Sequence, residues 1–153
     1  MSTQVVRIGE ICIGKSDDLL KATLGSCVGI AFFWQEKRVI GLAHCLLPET
    51  QSPQNQIGAK YVNQAIISII SMMKIQPDNV SEIKALLVGG GCMTPVSKNN
   101  QKHIGVLNIE AARKYIAETG IKIFFEDVGG NEGRQIEIDC HDESFKVKKI
   151  GKK

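Results

Sequence analysis

The feature that most limits how this chain can fold is the apolar run Val28-Gly29-Ile30-Ala31-Phe32-Phe33-Trp34, answered by a second run from Val39 to Leu47. Both are rich in β-branched and aromatic residues, which predicts two strands. Gln35-Glu36-Lys37 between them predicts a polar turn, and Pro48 stops the return strand because it has no N–H to give to a ladder. In an antiparallel hairpin turning near residue 36, positions summing to ~71 or 72 face each other. Cys27, near the start of the first strand, then approaches His44, toward the end of the second.

The remaining chain supplies more strands and two helices. Gln4 to Gly14 alternates roughly and predicts one or two short strands, and Leu19 to Leu24 leads into the hairpin. Glu49 to Ile57 is polar and contains Pro53, so it predicts a loop. From Gly58 to Ile75, apolar residues at 62, 65, 66, 69, 70 and 73 predict an amphipathic helix, ended by Gln76-Pro77-Asp78-Asn79. Ile83 to Val88 predicts a buried strand before Gly89-Gly90-Gly91-Cys92-Met93, and Thr94 to Gln101 a polar loop. Asn108 is suited to cap a second helix, Ile109 to Thr119, with Gly120 as its left-handed terminator. Strands follow at Ile121 to Val128, Arg134 to Asp139 and Ser144 to Ile150, and the lysines from 146 to 153 read as a solvated tail. Hairpin-linked strands with two helices predict one α+β domain over residues 1–153, with packed mixed or antiparallel sheets rather than alternating βαβ units.

Composition excludes several classes. A net charge of +3 with 5% aromatics offers no strong basic stripe with stacking platforms, which argues against nucleic acid. The longest apolar region, Ala65 to Met73, is interrupted by serines and is about half the ~20 residues a membrane span needs. The five cysteines are scattered and follow no signal-like segment, which predicts free thiols in the cytoplasm.

Cys27 stands among small residues in Leu24-Gly25-Ser26-Cys27-Val28-Gly29, so nothing bulky shields its sulfur. A thiol with a free pKa of ~8.5 needs a base to become a nucleophile near neutrality. An imidazole at His44 would take its proton and later give it to a leaving amine. Backbone N–H groups around Gly25 and Ser26 could hold the oxyanion. That constellation suits hydrolysis of amides. Taken alone, each residue has a plainer use: a cysteine in an apolar stretch is usually a small core hydrophobe, and a histidine at a strand end is usually structural.

Two other chemistries use the same letters. For a metal, His44-Cys45 and Cys140-His141 are adjacent pairs, and neighbours on a strand point to opposite faces, so no metal site is predicted. Gly9-Glu10-Ile11-Cys12-Ile13-Gly14-Lys15-Ser16 matches the Walker A pattern. Its Ile-Cys-Ile centre prefers strand to an open phosphate cradle, and Glu10 would repel phosphate. A P-loop nucleotide-binding protein is therefore the most distant alternative, and no cofactor is predicted.

Taken together, Leu24-Gly25-Ser26-Cys27-Val28, Ala43-His44-Cys45-Leu46-Leu47-Pro48, Gly89-Gly90-Gly91-Cys92-Met93, Ile104-Gly105 with Asn108, and Glu126-Asp127-Val128-Gly129-Gly130-Asn131 with Arg134 resemble the chemoreceptor glutamine deamidases, the CheD family. The resemblance implies an α/β sandwich related to bacterial toxin deamidases. It implies hydrolysis of glutamine side chains on chemoreceptor cytoplasmic domains to glutamate and ammonia, and a CheC-type phosphatase as partner. It carries Cys27 over as nucleophile and His44 as general base and acid. Family members often have a threonine six residues before the nucleophile, where this chain has Lys21; Thr23, on the same strand face by alternation, is the substitute candidate. Leu107 stands where the family has arginine. These departures keep open a second class of function, a binding module that docks on receptors or on the phosphatase with a weak or vestigial site.

Overall fold

A computed structural model describes residues 2–93 and 102–151. The loop expected over residues 94–101 lies outside them. Among the described residues, nine strands form two mixed sheets. The five-stranded sheet has the order β2 (Ile11–Lys15), β5 (Val39–Cys45), β4 (Val28–Trp34), β6 (Ile83–Gly89), β7 (Lys122–Val128). The four-stranded sheet has the order β1 (Thr3–Val5), β3 (Leu19–Leu24), β8 (Gly133–Asp139), β9 (Ser144–Ile150). Helices α1 (Val62–Met73) and α2 (Ile104–Thr119) cover the five-stranded sheet on the side away from the four-stranded one. This is the expected α+β class.

The five-stranded sheet is the middle layer, and that explains its sequence. Val28, Ile30, Phe32 and Trp34 of β4 pack toward the helices, while Ala31 and Phe33 pack toward the second sheet. A strand with both faces buried reads as a continuous apolar run rather than an alternating one. The outer strand β3 alternates instead: Leu20, Ala22 and Leu24 are in the inter-sheet core, and Lys21 and Thr23 are not. One βαβ unit does occur, β6–α2–β7, with β6 and β7 parallel. The Walker A letters from Ile11 to Lys15 are strand β2, as their β-branched centre requires.

Element ends differ from expectation where tertiary bonds intervene. The first helix begins at Val62 rather than Gly58, because Ala59 N–H donates to Gly9 and the Lys60 carbonyl accepts from Leu46 and Leu47. It ends at a left-handed Lys74, before the Gln76–Asn79 segment. The second helix begins at Ile104, where the His103 side chain accepts from Gly105 N–H at 2.9 Å. Asn108 is thus inside α2 and is not its cap; Gly120 does close the helix, at φ 86°. Lys146, Lys148 and Lys149 lie on the edge strand β9, not beyond it.

Candidate active site

The chain passes from one sheet to the other over Gly25-Ser26-Cys27, between the end of β3 at Leu24 and the start of β4 at Val28. Three successive carbonyls of this bend are engaged from outside it. Gly25 accepts from Gly91 N–H at 2.9 Å, Ser26 from Asn108 Nδ2 at 3.0 Å, and Cys27 from Gly90 N–H at 2.8 Å. Gly89 is required there: its φ is 105°, and a Cβ would overlap the Cys27 carbonyl oxygen. Gly90 likewise leaves no room between itself and Ile109 of α2. The turn is braced from behind by Arg134, 3% exposed, which donates to Asp127 at 3.0 Å and to the Glu132 carbonyl at 3.1 Å.

The β4–β5 register is offset from expectation. His44 pairs with Gly29 and Val28 with Cys45. The turn is longer than Gln35–Lys37, because a 3-10 turn there is closed by Arg38 in the left-handed region at φ 56°, so the last pair is Trp34 with Val39. Cys27 and His44 are therefore diagonal rather than opposite. Alternation nevertheless puts them on one face of the sheet. Cys27 packs in the inter-sheet core with Ala31 of β4 and with Ile40 and Leu42 of β5, and His44 continues the parity of Ile40 and Leu42. Gly29 puts no side chain opposite the imidazole. Cys45 faces the helices instead, so the adjacent His and Cys do diverge.

His44 is 4% exposed, and its Nδ1 lies 2.8 Å from the Val6 carbonyl oxygen. A carbonyl only accepts, so Nδ1 carries the proton and Nε2 bears the lone pair. Nε2 is buried without a hydrogen-bond partner among the described residues. The main chain of His44 is held by the same segment: its N–H donates to Glu10 at 3.1 Å and its carbonyl accepts from Gly9 at 2.8 Å.

Burial lowers the His44 pKa, opposed by the Val6 hydrogen bond and the Glu10 charge. Burial also raises the Cys27 thiol, 6% exposed, with its own backbone N–H opposing. Both shifts favour the uncharged forms. Cys27 thus rests as a thiol and His44 as a neutral imidazole.

Gly25 and Ser26 flank Cys27 as expected, half-buried. Thr23 does not join them. The alternation that would bring it to the Cys27 face stops where β3 ends, and Thr23 pairs with Gln135 on the outer, exposed side of the four-stranded sheet. Lys21 shares that outer side, in an ion pair with Glu137 at 3.3 Å. Leu107 lines an open groove with Pro48, Glu49 and Tyr115.

Of two contacts around these residues, one escapes the sequence reading, and the other belongs to Asn108, which that reading takes as a helix cap and within a motif block. The Val6 carbonyl is a main-chain atom and leaves no signal in the letters. Asn108 does leave one: extending α2 back to Gly105 puts it on the stripe of Gly105, Ala112 and Ile116, all buried.

Residues 46–149 match the family described as CheD chemotactic sensory transduction; that span begins just after His44. The chain is 33% identical over 162 residues to a probable chemoreceptor glutamine deamidase CheD 2 of Ruegeria sp. (strain TM1040), covering 95% of this chain and 90% of that one. It is 36% identical over 148 residues to a probable chemoreceptor glutamine deamidase CheD of Bdellovibrio bacteriovorus, covering 96% and 94%. With the corresponding protein of Clostridium tetani it shares 36% identity over 149 residues, covering 95% and 90%. Both alignable length and described architecture run through the two sheets, and this chain belongs to the CheD family.

Proposed function

We propose that this protein hydrolyses glutamine side-chain amides of chemoreceptor cytoplasmic domains, with Cys27 as nucleophile. The observation that carries the reading is His44: a buried imidazole whose tautomer is set by Val6, leaving an unpartnered Nε2 on the face that holds Cys27. The relatives named above are described as glutamine deamidases of chemoreceptors, and this supports the substrate class.

The steps follow from the neutral resting pair. As the substrate carboxamide enters, His44 Nε2 takes the Cys27 thiol proton and the sulfur attacks the carboxamide carbon. Proton transfer accompanies attack, because burial disfavours both ions beforehand. Peptide planarity then directs the oxyanion. The Gly25 and Ser26 carbonyls are pinned to Gly91 and Asn108, so the N–H groups of Ser26 and Cys27 point the opposite way and can receive the negative oxygen. The His44 imidazolium protonates the leaving nitrogen, ammonia departs, and a thioester remains. His44 Nε2 next deprotonates a water, which attacks the thioester carbon; glutamate leaves and the thiol is restored. Val6 acts as the acceptor behind the base, the place in which a side chain often stands.

Mass spectrometry of receptor peptides tests this directly. The wild-type protein should convert Gln to Glu, and Cys27→Ala should not; conversion by Cys27→Ala would remove the nucleophile. The near-complete burial of Cys27 favours the second reading, a docking module whose site is weak, and absence of conversion by the wild-type protein would select it. A CheC-type phosphatase partner and a cytoplasmic location belong to the same proposal; among the described residues no helix is long and apolar enough to cross a membrane.

A further inference from the structure

The β4–β5 ladder ends at Val28 and Cys45, one residue short of Cys27. Beyond that pair the two strands part. The Cys27 carbonyl turns to Gly90, and Leu46 N–H turns to Lys60. The nucleophile and the histidine strand therefore lose their direct main-chain connection where the chemistry needs them aligned. One side chain spans the gap. Asn108 Nδ2 donates to Ser26 O and to Leu46 O, each at 3.0 Å. Its two donors reach residues 82 and 62 positions away in sequence. The amide orientation is fixed by chemistry, since both partners are carbonyls and only the NH2 can serve them.

A second buried asparagine shows what a purely structural one looks like. Asn63 of α1, 7% exposed, donates to Thr50 O at 2.8 Å and accepts from Thr50 N–H at 3.0 Å. Both ends of its amide are satisfied. Asn108 is 0% exposed and only its donor end is used; Oδ1 is buried without a partner among the described residues. A buried acceptor left unpaired costs stability rather than adding it. The side chain is kept for what its NH2 holds.

We propose that Asn108 is a positioning residue that sets the separation of Cys27 from His44 by clamping the two strands past the end of their ladder. The proposal rests on the Cys27–His44 reading above. Its effect falls on the chemical steps: on proton transfer from sulfur to Nε2, and on the aim of the Cys27 N–H that the held Ser26 carbonyl sets. Substrate affinity is set elsewhere, since Asn108 acts from behind both residues through Ser26 and Leu46.

Asn108→Ala removes both bonds. Asn108→Asp keeps the shape, and beside two carbonyls its carboxyl stays protonated and donates one bond. Asn63→Ala is the control for loss of a buried asparagine. The measurements are kcat and KM on a Gln-containing receptor peptide, and the pH profile of iodoacetamide labelling at Cys27, resolved from the other cysteines by peptide mass mapping. We expect kcat to fall in the order wild type, Asp, Ala, by on the order of 10²-fold for Ala, with KM within about twofold. Labelling at neutral pH should slow in the same order. Asn63→Ala should match wild type in both once corrected for folded fraction. The inference is overturned if Asn108→Ala keeps wild-type kcat and labelling per folded molecule, or if Asn63→Ala loses as much. If Asn108→Ala does not fold, the Asp variant decides by the same two readouts. Activity remaining in Cys27→Ala would instead sink the underlying reading, which separates the two failures.

Discussion

The bend at Gly25–Cys27 and the strand position of His44 are held by different means, although both meet at one end of the central sheet. The bend has irregular backbone, and its three carbonyls are fixed by donors from the glycine turn after β6 and from α2. His44 is a ladder residue whose main chain is held by Glu10 and Gly9, and whose ring is held by Val6. The proposed nucleophile, between two sheets, is thus sensitive to every element that lends its bend a donor. The ring of the proposed base, within a ladder, depends on one acceptor. Damage at a distance should fall more heavily on Cys27 than on His44.

The largest expected effect is on the sulfur itself. Cys27→Ala should abolish ammonia release while costing about 1 kcal/mol or less of stability, since only one buried atom is removed; a thermal melt alongside the ammonia assay checks both. Next is His44→Ala, which should lower kcat by about 10²–10⁴-fold and slow iodoacetamide labelling of Cys27 at neutral pH. Equal labelling rates would break the pairing of the two regions. Third comes Gly89→Ala, far from the reacting atoms in sequence. Its φ of 105° and the overlap with the Cys27 carbonyl should cost more than about 1 kcal/mol, with labelling of Cys27 altered; unchanged labelling would show that the bend tolerates movement of its donors.

The pH dependence sharpens the same contrast. Burial holds the His44 pKa below its ordinary 6.5, so the acid limb of kcat/KM should fall below 6.5. The corresponding stability has the same sign. Below 6.5 the unfolded chain binds the proton that buried His44 resists, so stability is full above that pH and declines as pH falls. Denaturant titrations at several pH values should show the decline reduced in His44→Gln. The smallest effect is at Thr23: exposed on the far side of β3, its change to valine should leave kcat within about twofold. A large loss there would mean that the outer sheet reaches the site after all.

Much of this architecture was legible in the letters. The continuous run Val28–Trp34, the return strand from Val39 (expected to Leu47, ending at Cys45) and the Gly120 terminator follow from period and turn chemistry, because burial and backbone conformation restrict residue type locally. The shared sheet face of the proposed Cys27–His44 pair was legible through the hairpin, though the offset of the ladder was not: it depends on Arg38 adopting a left-handed conformation, which nothing in its side chain demands. The expected placement of Thr23 on the Cys27 face failed because alternation holds only within a strand, and the letters Leu24-Gly25-Ser26-Cys27 do not say that the chain changes sheets there. Sequence alone therefore determined which residues are candidates for the proposed chemistry, since nucleophile and base require particular side-chain types. Tertiary structure alone decided what orients them. The Val6 carbonyl, the Gly90 and Gly91 N–H groups and the reach of Asn108 across the open ladder are main-chain or long-range contacts, and any residue type can supply a carbonyl once the fold has brought it there.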